Sequence, residues 1–468
     1  MTRRRILLKI EIFALIFAVL LSSVTFVMRD KSHAPPTIST FYKEPKNSLD
    51  VVFLGTSHML HAVYPMQLYN DYGIASHNYS QYGQPFSLTY ESLNEVLKYQ
   101  KPKVAIIDVM AVSWLLISPV SWQKTLHYVV DDMPSPYRYF FINNLTWEKG
   151  EVGLFELYFP AYLYHLRWNV LQKKDFSQTE NYSKGITLGY NRFNGDKPDI
   201  LPIEDKIDLH TQMKVVLDNI LNLAETRNIS LIFTVMPYGK SYGDIEIAQK
   251  YYNNIYWLVK NKENVRFLNY FHYLNEINFD FSSDLYDIDH LNFYGAQKIT
   301  AHLGKYIKEH YDIPDRRLDP AYAKWNDDYK LYVQDTFAQE LNATRDSEKY
   351  VQLIASKKEA ADNTCMFVVK TSGGGKNSKY FRTLGLNVTG NNYIAVLDSG
   401  KVVYQQAASD VPLMHEYKIG KLPVKLVSDV RGTSCIKVDG IEQVKNKSEM
   451  TVVIYDKLLK KITSVRSL

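Results

Sequence analysis

The chain has 468 residues, of which 46% are hydrophobic and 22% are charged, so it is rich enough in apolar side chains for packed domains and does not resemble a disordered chain. Its net charge of +5 is small for this length, and no dense basic block follows the N-terminal arginines, which argues against a nucleic-acid-binding protein. Two cysteines are too few for a disulfide framework or a cysteine-based zinc site.

The N-terminus carries a membrane signal. Ile12 to Met28 contain no charged residue and follow a basic segment with Arg3 and Lys9. A helix of this length spans about 26 Å, within the range of a single-pass anchor. We therefore predict an anchor at residues 1–29 with a cytoplasmic N-terminus and everything beyond it extracytoplasmic, followed by a tether at residues 30–47. A cleaved signal peptide is the alternative.

Beyond the tether, short apolar runs alternate with amphipathic stretches, which predicts an α/β domain with a parallel sheet between two helical layers at residues 48–315. The predicted strands are Asp50–Leu54, Ala75–Tyr79, Val104–Val109, Ile229–Val235 and Val265–Tyr270. The predicted helices are Leu88–Gln100, Leu209–Arg227, Ile245–Lys260 and Phe293–His310.

Two further regions differ in character from this domain. Residues 111–208 interrupt the alternation and are predicted as a helical cap insertion, in which the aromatic motif Tyr164 to Trp168 is interpreted as a buried stacking cluster rather than a catalytic group. Residues 316–363 are predicted as a helical linker. Residues 364–468, with short strands and Asp-Gly-type turns, are predicted as a small β-sandwich, where Cys365 and Cys435 either pair or lie buried singly.

The first predicted strand runs directly into Gly55-Thr56-Ser57-His58. Ligands of parallel α/β sheets lie at the carboxyl ends of the strands, so Ser57 would present its hydroxyl at that edge. A serine there is also a common helix N-cap, and this motif alone does not separate a nucleophile from a cap.

A possible partner for this serine lies between the last strand and the last helix of the domain, in the segment Asp287-Ile288-Asp289-His290. A serine nucleophile needs a nearby base whose tautomer is held by a carboxylate, and Asp287 can turn back onto His290 across three residues. Asp289 is the alternative orienting acid. The segment also offers metal ligands or an N-cap, but no further ligands stand at recognisable spacing, so we expect neither metal nor cofactor.

Together the two motifs resemble the SGNH hydrolase superfamily over residues 50–311. The resemblance implies a flavodoxin-like fold with Ser57 as nucleophile, His290 as general base and Asp287 as its orienting acid. It also nominates Gly83, in the block Asn78 to Gln84, as an oxyanion donor. The family's third block, Gly-x-Asn, is absent after the third strand, and in its place Asn191 of the cap is a candidate donor and Tyr238 a candidate at the rim of the site.

A membrane-tethered domain without the third block is similar to the DltD-like and AlgJ/AlgX-like proteins. This resemblance implies transfer of an acetyl or D-alanyl group to a polysaccharide or teichoic acid through an acyl-serine, beside a membrane-bound O-acyltransferase (MBOAT) partner. The same residues would serve a polysaccharide esterase. An inactive scaffold that binds glycan or a membrane partner is the third interpretation, since one block is missing.

Overall fold

The computed structural model describes residues 3–29, 37–114, 126–127, 129–144, 154–159, 162, 164–177, 182–371, 377–431, 434–443 and 450–468. Part of the predicted tether (30–36) and several parts of the predicted cap (115–125, 128, 145–153, 160–161, 163 and 178–181) lie outside the described residues. The chain divides into two compact units, Met1–Trp325 and Asn326–Leu468, and the division falls inside the stretch predicted as a linker.

The first unit is built on a parallel five-stranded sheet of order β2-β1-β3-β4-β5, which confirms the predicted mixed α/β architecture. Its strands lie within one residue of the predicted bounds: β1 Val51–Leu54, β2 Ser76–Asn78, β3 Val104–Asp108, β4 Ser230–Val235 and β5 Val265–Asn269. This order places a switch point between β1 and β3, where ligands of doubly wound sheets bind outside the carboxyl ends of the strands.

Helices precede, connect and follow these strands along the chain. The helices of the first unit are α1 (Arg3–Met28), α2 (Thr37–Phe41), α3 (Ser57–Ala62), α4 (Pro65–Tyr72), α5 (Phe86–Tyr99), α6 (Ser135–Asn144), α7 (Leu154–Tyr158), α8 (Thr211–Arg227), α9 (Ile245–Val259) and α10 (Phe293–His310). In α10, Ile299, Leu303 and Ile307 recur at helical spacing and are buried. This helix packs against α3 and α4, whereas α8 packs against α5.

Helix α1 is long and apolar enough to cross a membrane, with a mean hydropathy of 2.4 over its most apolar window. A signal sequence would meet the same criterion. The C-terminal end of α1 contacts the insertion between β3 and β4, where short 3₁₀ helices cover His165–Asn169 and Lys173–Phe176.

The interpretation of the insertion's aromatic motif as a buried cluster was wrong. Leu166 and Trp168 are 72% and 70% exposed, because the short 3₁₀ helix that carries them turns them away from the protein. Within this motif Tyr164 points inward, and its hydroxyl donates to Asp131 at 2.6 Å.

The second unit contains two antiparallel sheets, of orders β14-β13-β6-β7-β8 and β12-β11-β10-β9. The strands are β6 Thr364–Thr371, β7 Asn392–Asp398, β8 Lys401–Ala408, β9 Leu413–Ile419, β10 Leu422–Ser428, β11 Cys435–Val438, β12 Ile441–Glu442, β13 Met450–Asp456 and β14 Lys461–Ser467. Val369, Val396 and Leu426 belong to the apolar cluster between the two sheets. Cys365 and Cys435 are buried singly and are not bonded to each other.

Helices cover the other face of the larger sheet. They are α11 (Ala323–Ala343), α12 (Ser347–Ser356) and α13 (Lys358–Ala361), with a 3₁₀ helix at Ser378–Leu384. Phe337 and Leu341 of α11 and Tyr350 of α12 pack in one apolar cluster with Val368 and Val452 of the sheet. Residues 337–354 therefore form part of the core of this unit.

Candidate active site

The candidate nucleophile stands at the first turn of α3, directly after β1. The chain reverses at Gly55, whose φ of +142° and close approach to Asp108 leave no room for a side chain, because a Cβ would lie 2.6 Å from the Asp108 Cβ. Thr56 caps α3 by accepting the His58 backbone N–H at 3.1 Å. Its hydroxyl donates to Asp108 at 2.7 Å, so the cap is tied to the end of the neighbouring strand and Ser57 is held in place.

A closed loop before α10 presents the candidate base. The backbone N–H of Tyr286 donates to the His290 carbonyl at 2.8 Å, which brings the two ends of the loop together. Asn292 lies fully buried beneath it and caps α10 by accepting the backbone N–H groups of Tyr294 and Gly295, each at 3.0 Å. The Asn292 amide also donates to the Leu285 carbonyl at 3.1 Å, so one side chain links the loop and the helix.

The predicted meeting of the two loops is present in the structure. The Ser57 Oγ lies 2.8 Å from the His290 Nε2, and the His290 Nδ1 lies 3.0 Å from each carboxylate oxygen of Asp287. Asp289, the alternative orienting acid, also contacts this ring, with one oxygen 3.2 Å from Nδ1. The ring is thus flanked by a hydroxyl on one nitrogen and by two carboxylates on the other.

Comparisons with known proteins add no functional assignment to this geometry. No protein-family model matches the chain, and no curated protein matches it.

The two carboxylates govern the charge on the imidazole. Burial lowers the pKa of His290, but hydrogen bonds and negative charge from Asp287 and Asp289 outweigh burial and raise it to about 9. Burial also raises the pKa of Asp287, and the hydrogen bond with His290 more than offsets this and holds it below its usual range. The pair consequently favours an ionised carboxylate beside a protonated imidazole.

Two further histidines of α3 surround this ring. His61 lies with its ring centroid 4.6 Å from that of His290, and burial followed by the His290 charge lowers the pKa of His61 to about 3. His58 is buried with neither ring nitrogen hydrogen-bonded in the described part of the chain, and burial lowers its pKa as well. Both rings are therefore neutral at physiological pH, so they add no positive charge beside His290.

Among the described residues, one group of side chains could hold a metal ion. His58, Asp289 and His290 each offer a ligand atom, and these atoms lie within 4.8 Å of one another. An ion held by Asp289 and His290 would compete with the contact between these two side chains, in which one Asp289 oxygen lies 3.2 Å from the His290 Nδ1.

The candidate substrate-binding residues differ in their placement. Gly83 lies exposed in a turn with a φ of +61°, and the neighbouring Tyr82 hydroxyl lies 3.3 Å from the His61 Nε2. The Asn191 amide donates to the Tyr286 carbonyl at 2.9 Å, so it holds the histidine loop. Tyr238 is buried rather than at the rim: its ring packs edge-on against His58 and its hydroxyl bonds the Tyr252 hydroxyl at 3.1 Å.

Sequence reasoning missed three residues that support the site. Asn292 follows the Asp-x-x-His motif by two positions, and an Asn directly before a helical pattern is a recognisable N-cap signal. Asp108 is buried at the end of β3, and burial raises its pKa to about 6 in spite of hydrogen bonds from Thr56 and Met110. Tyr242, whose hydroxyl bonds Asp289, comes from the loop after β4 and carried no signal in the sequence.

Proposed function

We propose that the chain is a membrane-anchored, extracytoplasmic O-acyltransferase of the SGNH type, which moves an acetyl or D-alanyl group onto a cell-envelope or secreted polysaccharide. The observation that carries this proposal is the contact between the Ser57 Oγ and the His290 Nε2 at 2.8 Å, with Asp287 on the opposite nitrogen. Two loops separated by more than two hundred residues converge to form it. This is the arrangement that activates a serine for acyl transfer.

In the first step, the Ser57 oxygen attacks the carbonyl carbon of an acyl donor while its proton passes to the His290 Nε2. The new oxygen–carbon bond forms, the bond from that carbon to the leaving group breaks, and the leaving group takes the proton from His290. The ionised Asp287 stabilises the imidazolium that exists between these events. The products are an acyl-Ser57 ester and the protonated leaving group.

In the second step, a hydroxyl of the polymer gives its proton to His290 and attacks the acyl carbon. The bond to Ser57 breaks, and the Ser57 oxygen takes the proton back. Both steps pass through an oxyanion, for which we propose the backbone N–H groups of Ser57 and Gly83. Asp108, at the end of β3, carries a carboxylate that accepts hydrogen bonds from the backbone N–H groups of Thr56 and Met110. It therefore does not replace the side-chain amide of the family's third block as an oxyanion donor.

The second unit offers a surface suited to an acceptor polymer. A groove of about 780 Å³ is lined by the stacked rings of Tyr404 and His415, whose centroids lie 3.6 Å apart, and by Lys418, Lys425 and Lys437. Aromatic faces pack against sugar rings, and lysines attract acidic groups such as carboxylates or phosphates. These properties support a polysaccharide or teichoic acid as the acceptor.

The proposed setting is the outer face of a membrane, with α1 as the anchor. The acyl donor of this reaction would then come from the membrane side, and an MBOAT is the class of partner that the resemblance implies. No nucleic acid, metal or cofactor has a role in the proposed steps.

A burst assay tests the proposal directly. The full-length protein in detergent is mixed with p-nitrophenyl acetate, and we expect a burst of p-nitrophenol together with an acetyl adduct on Ser57 in the mass spectrum. Ser57→Ala should abolish both, whereas the matched control Ser356→Ala, on the surface of α12, should retain both. Absence of any serine-dependent turnover or adduct would refute the enzymatic proposal and favour a binding scaffold.

Transferase and esterase are then separated in cells. Comparing the wild-type chain with Ser57→Ala, a transferase raises the acyl content of the polymer, whereas an esterase of the same fold lowers it. The second result would replace the proposed acceptor with water, while the nucleophile and base would stay the same.

A further inference from the structure

The insertion between β3 and β4 exposes a set of large apolar side chains. We call this set the aromatic patch, and it consists of Phe155, Phe159, Tyr162, Leu166, Trp168, Val170 and Phe176, all of which are exposed. Its members are neighbours in part, since the Phe155 ring lies 5.0 Å from that of Phe159 and 5.4 Å from that of Tyr162. A group of exposed large apolar side chains of this size marks an interaction site on a folded protein.

Direct bonds and contacts tie the part of the patch from Leu166 to Phe176 to the C-terminal end of α1. The Arg167 guanidinium, between Leu166 and Trp168, donates to the Met28 carbonyl at 2.6 Å and to the Arg29 carbonyl. The 3₁₀ helices that carry Leu166, Trp168 and Phe176 both contact α1. No flexible spacer therefore separates these side chains from the point where the apolar helix ends.

The charge at this end of α1 is also neutralised by the protein. Arg29 lies 3.5 Å from the Asp132 carboxylate and donates to the Asp131 carbonyl at 2.5 Å. A paired arginine need not reach into bulk water, so the end of the helix can lie within the headgroup region.

The length of the apolar segment brings the patch close to the hydrocarbon. The uncharged run from Ile12 to Met28 spans about 26 Å as a helix, against about 30 Å for the hydrocarbon core of a bilayer. A short span draws its flanking residues toward the membrane. Side chains bonded at the level of Met28 are then placed at the boundary between acyl chains and headgroups.

The composition of the patch suits that boundary better than it suits a protein partner. Trp, Tyr and Phe are enriched where apolar and polar layers meet, and basic side chains beside them attract anionic headgroups. Lys173, which is exposed and lies between Val170 and Phe176 in the sequence, supplies such a basic group. We propose that the aromatic patch inserts into the outer interface of the bilayer and forms a second membrane attachment beside α1.

This inference rests on the proposed anchor and is independent of the proposed acyl transfer. Its consequence is that the first unit does not swing freely on a tether but is held against the membrane through the insertion. The site at Ser57 would then keep a restricted orientation relative to the membrane surface at which an acyl donor is presented.

Depth-dependent fluorescence quenching tests the proposal on the full-length protein. Leu166→Cys is labelled with an environment-sensitive fluorophore, while the native Cys365 and Cys435 are buried. The protein is reconstituted into vesicles of phosphatidylcholine and phosphatidylglycerol that contain nitroxide lipids. We expect quenching at least about twofold greater than for the matched control Leu318→Cys, because the patch lies at lipid depth. Leu318 is 94% exposed and belongs to the segment that follows α10.

A second label and an extraction step make each outcome decisive. Phe176→Cys should show the same quenching at a different position of the patch. The quenching would then not be due to a local effect of the substitution at position 166. If the protein stays in the vesicles after an alkaline carbonate wash but its labels are unquenched and accessible to iodide, the insertion of the patch is refuted and the α1 anchor stands. If the wash removes the protein, both the insertion and the anchor are refuted. Labels shielded from iodide but unquenched by lipid would also overturn the proposal and indicate a protein partner or a second copy.

Discussion

The two units of the chain differ in where their titratable side chains lie and in how their surroundings shift the pKa values of those side chains. At the carboxyl edge of the parallel sheet, Ser57, His290 and Asp287 are placed in contact, and the carboxylates hold the imidazole pKa near 9. In the second unit, burial raises the pKa of Cys365 to about 12, so this thiol stays protonated and is a poor nucleophile.

The exposed groups differ as well. The second unit presents Tyr404, His415 and three lysines along an open groove, where a chain-like ligand can lie across several contacts. Acyl transfer requires a few groups oriented at fixed distance, whereas holding a polymer requires a wide surface with little orientation. We therefore propose that the first unit carries out the chemistry and that the second unit recognises the polymer.

The largest effect is expected for His290→Ala. Without the imidazole, no described group within hydrogen-bond reach takes the Ser57 proton, so turnover of a small ester should fall by about 10⁴-fold or more. Steady-state release of p-nitrophenol measures this loss.

The fold should survive the same substitution. The loop that carries His290 is held in shape by Asn292, so circular dichroism of the variant should match that of the wild type. Activity that remains near the wild-type level would show that His290 is not the base, and the proposed chemistry of the first unit would be refuted.

A smaller loss is expected for Asp287→Asn. The amide removes the charge that stabilises the imidazolium, but Asp289 still lies 3.2 Å from the same nitrogen, so we expect a loss of about 10²- to 10³-fold rather than the full effect. The ratio of kcat/KM values reports it. A loss as large as that of His290→Ala would mean that Asp289 offers no support to the ring.

Much of this arrangement could be predicted from the residues alone. The strands of the parallel sheet follow from continuous apolar runs, and Ser57 with Asp287 and His290 follows from the need of a serine for a base and an orienting acid. The amphipathic spacing of α10 predicted its bounds, from Phe293 to His310.

The remainder depends on contacts that no local pattern encodes. The double carboxylate contact arises because the loop closes between Tyr286 and His290 and turns Asp289 back, although neighbouring side chains usually diverge. The short helices α3 and α4 went unpredicted since few residues carry their periodicity. The aromatic motif at Leu166 and Trp168 was misread because large apolar residues usually lie inside a protein, unless a membrane or a partner covers them.

A change in pH dependence, with a modest change in rate, is expected from Asp289→Asn. Protonated His290 cannot accept the Ser57 proton, so the wild-type rate should rise with pH through an apparent pKa of about 9. Removing the Asp289 charge should lower that midpoint by about 1 unit and leave the plateau rate within about tenfold. The pH profile of kcat/KM between neutral and alkaline pH measures both values.

An unchanged midpoint in this variant would show that Asp287 alone sets the charge of the ring. Asp196→Asn, in the loop after Asn191, is the matched control, since no contact in the described part of the chain joins its side chain to His290 and its profile should follow the wild type.

The smallest effect is expected for a substitution in the groove of the second unit. It should weaken acylation of the polymer but not turnover of the small ester p-nitrophenyl acetate. Lys425→Ala removes one of three lysines from the groove, so polymer acylation should weaken by about three- to tenfold, as for one exposed charge contact among several. Turnover of p-nitrophenyl acetate should stay unchanged, because a small ester needs only the groups around Ser57. Lys401→Ala, an exposed lysine at the start of β8 that does not line the groove, should leave both activities intact. Equal loss of both activities in Lys425→Ala would contradict the division, because a surface lysine would then be acting on the chemistry through the fold.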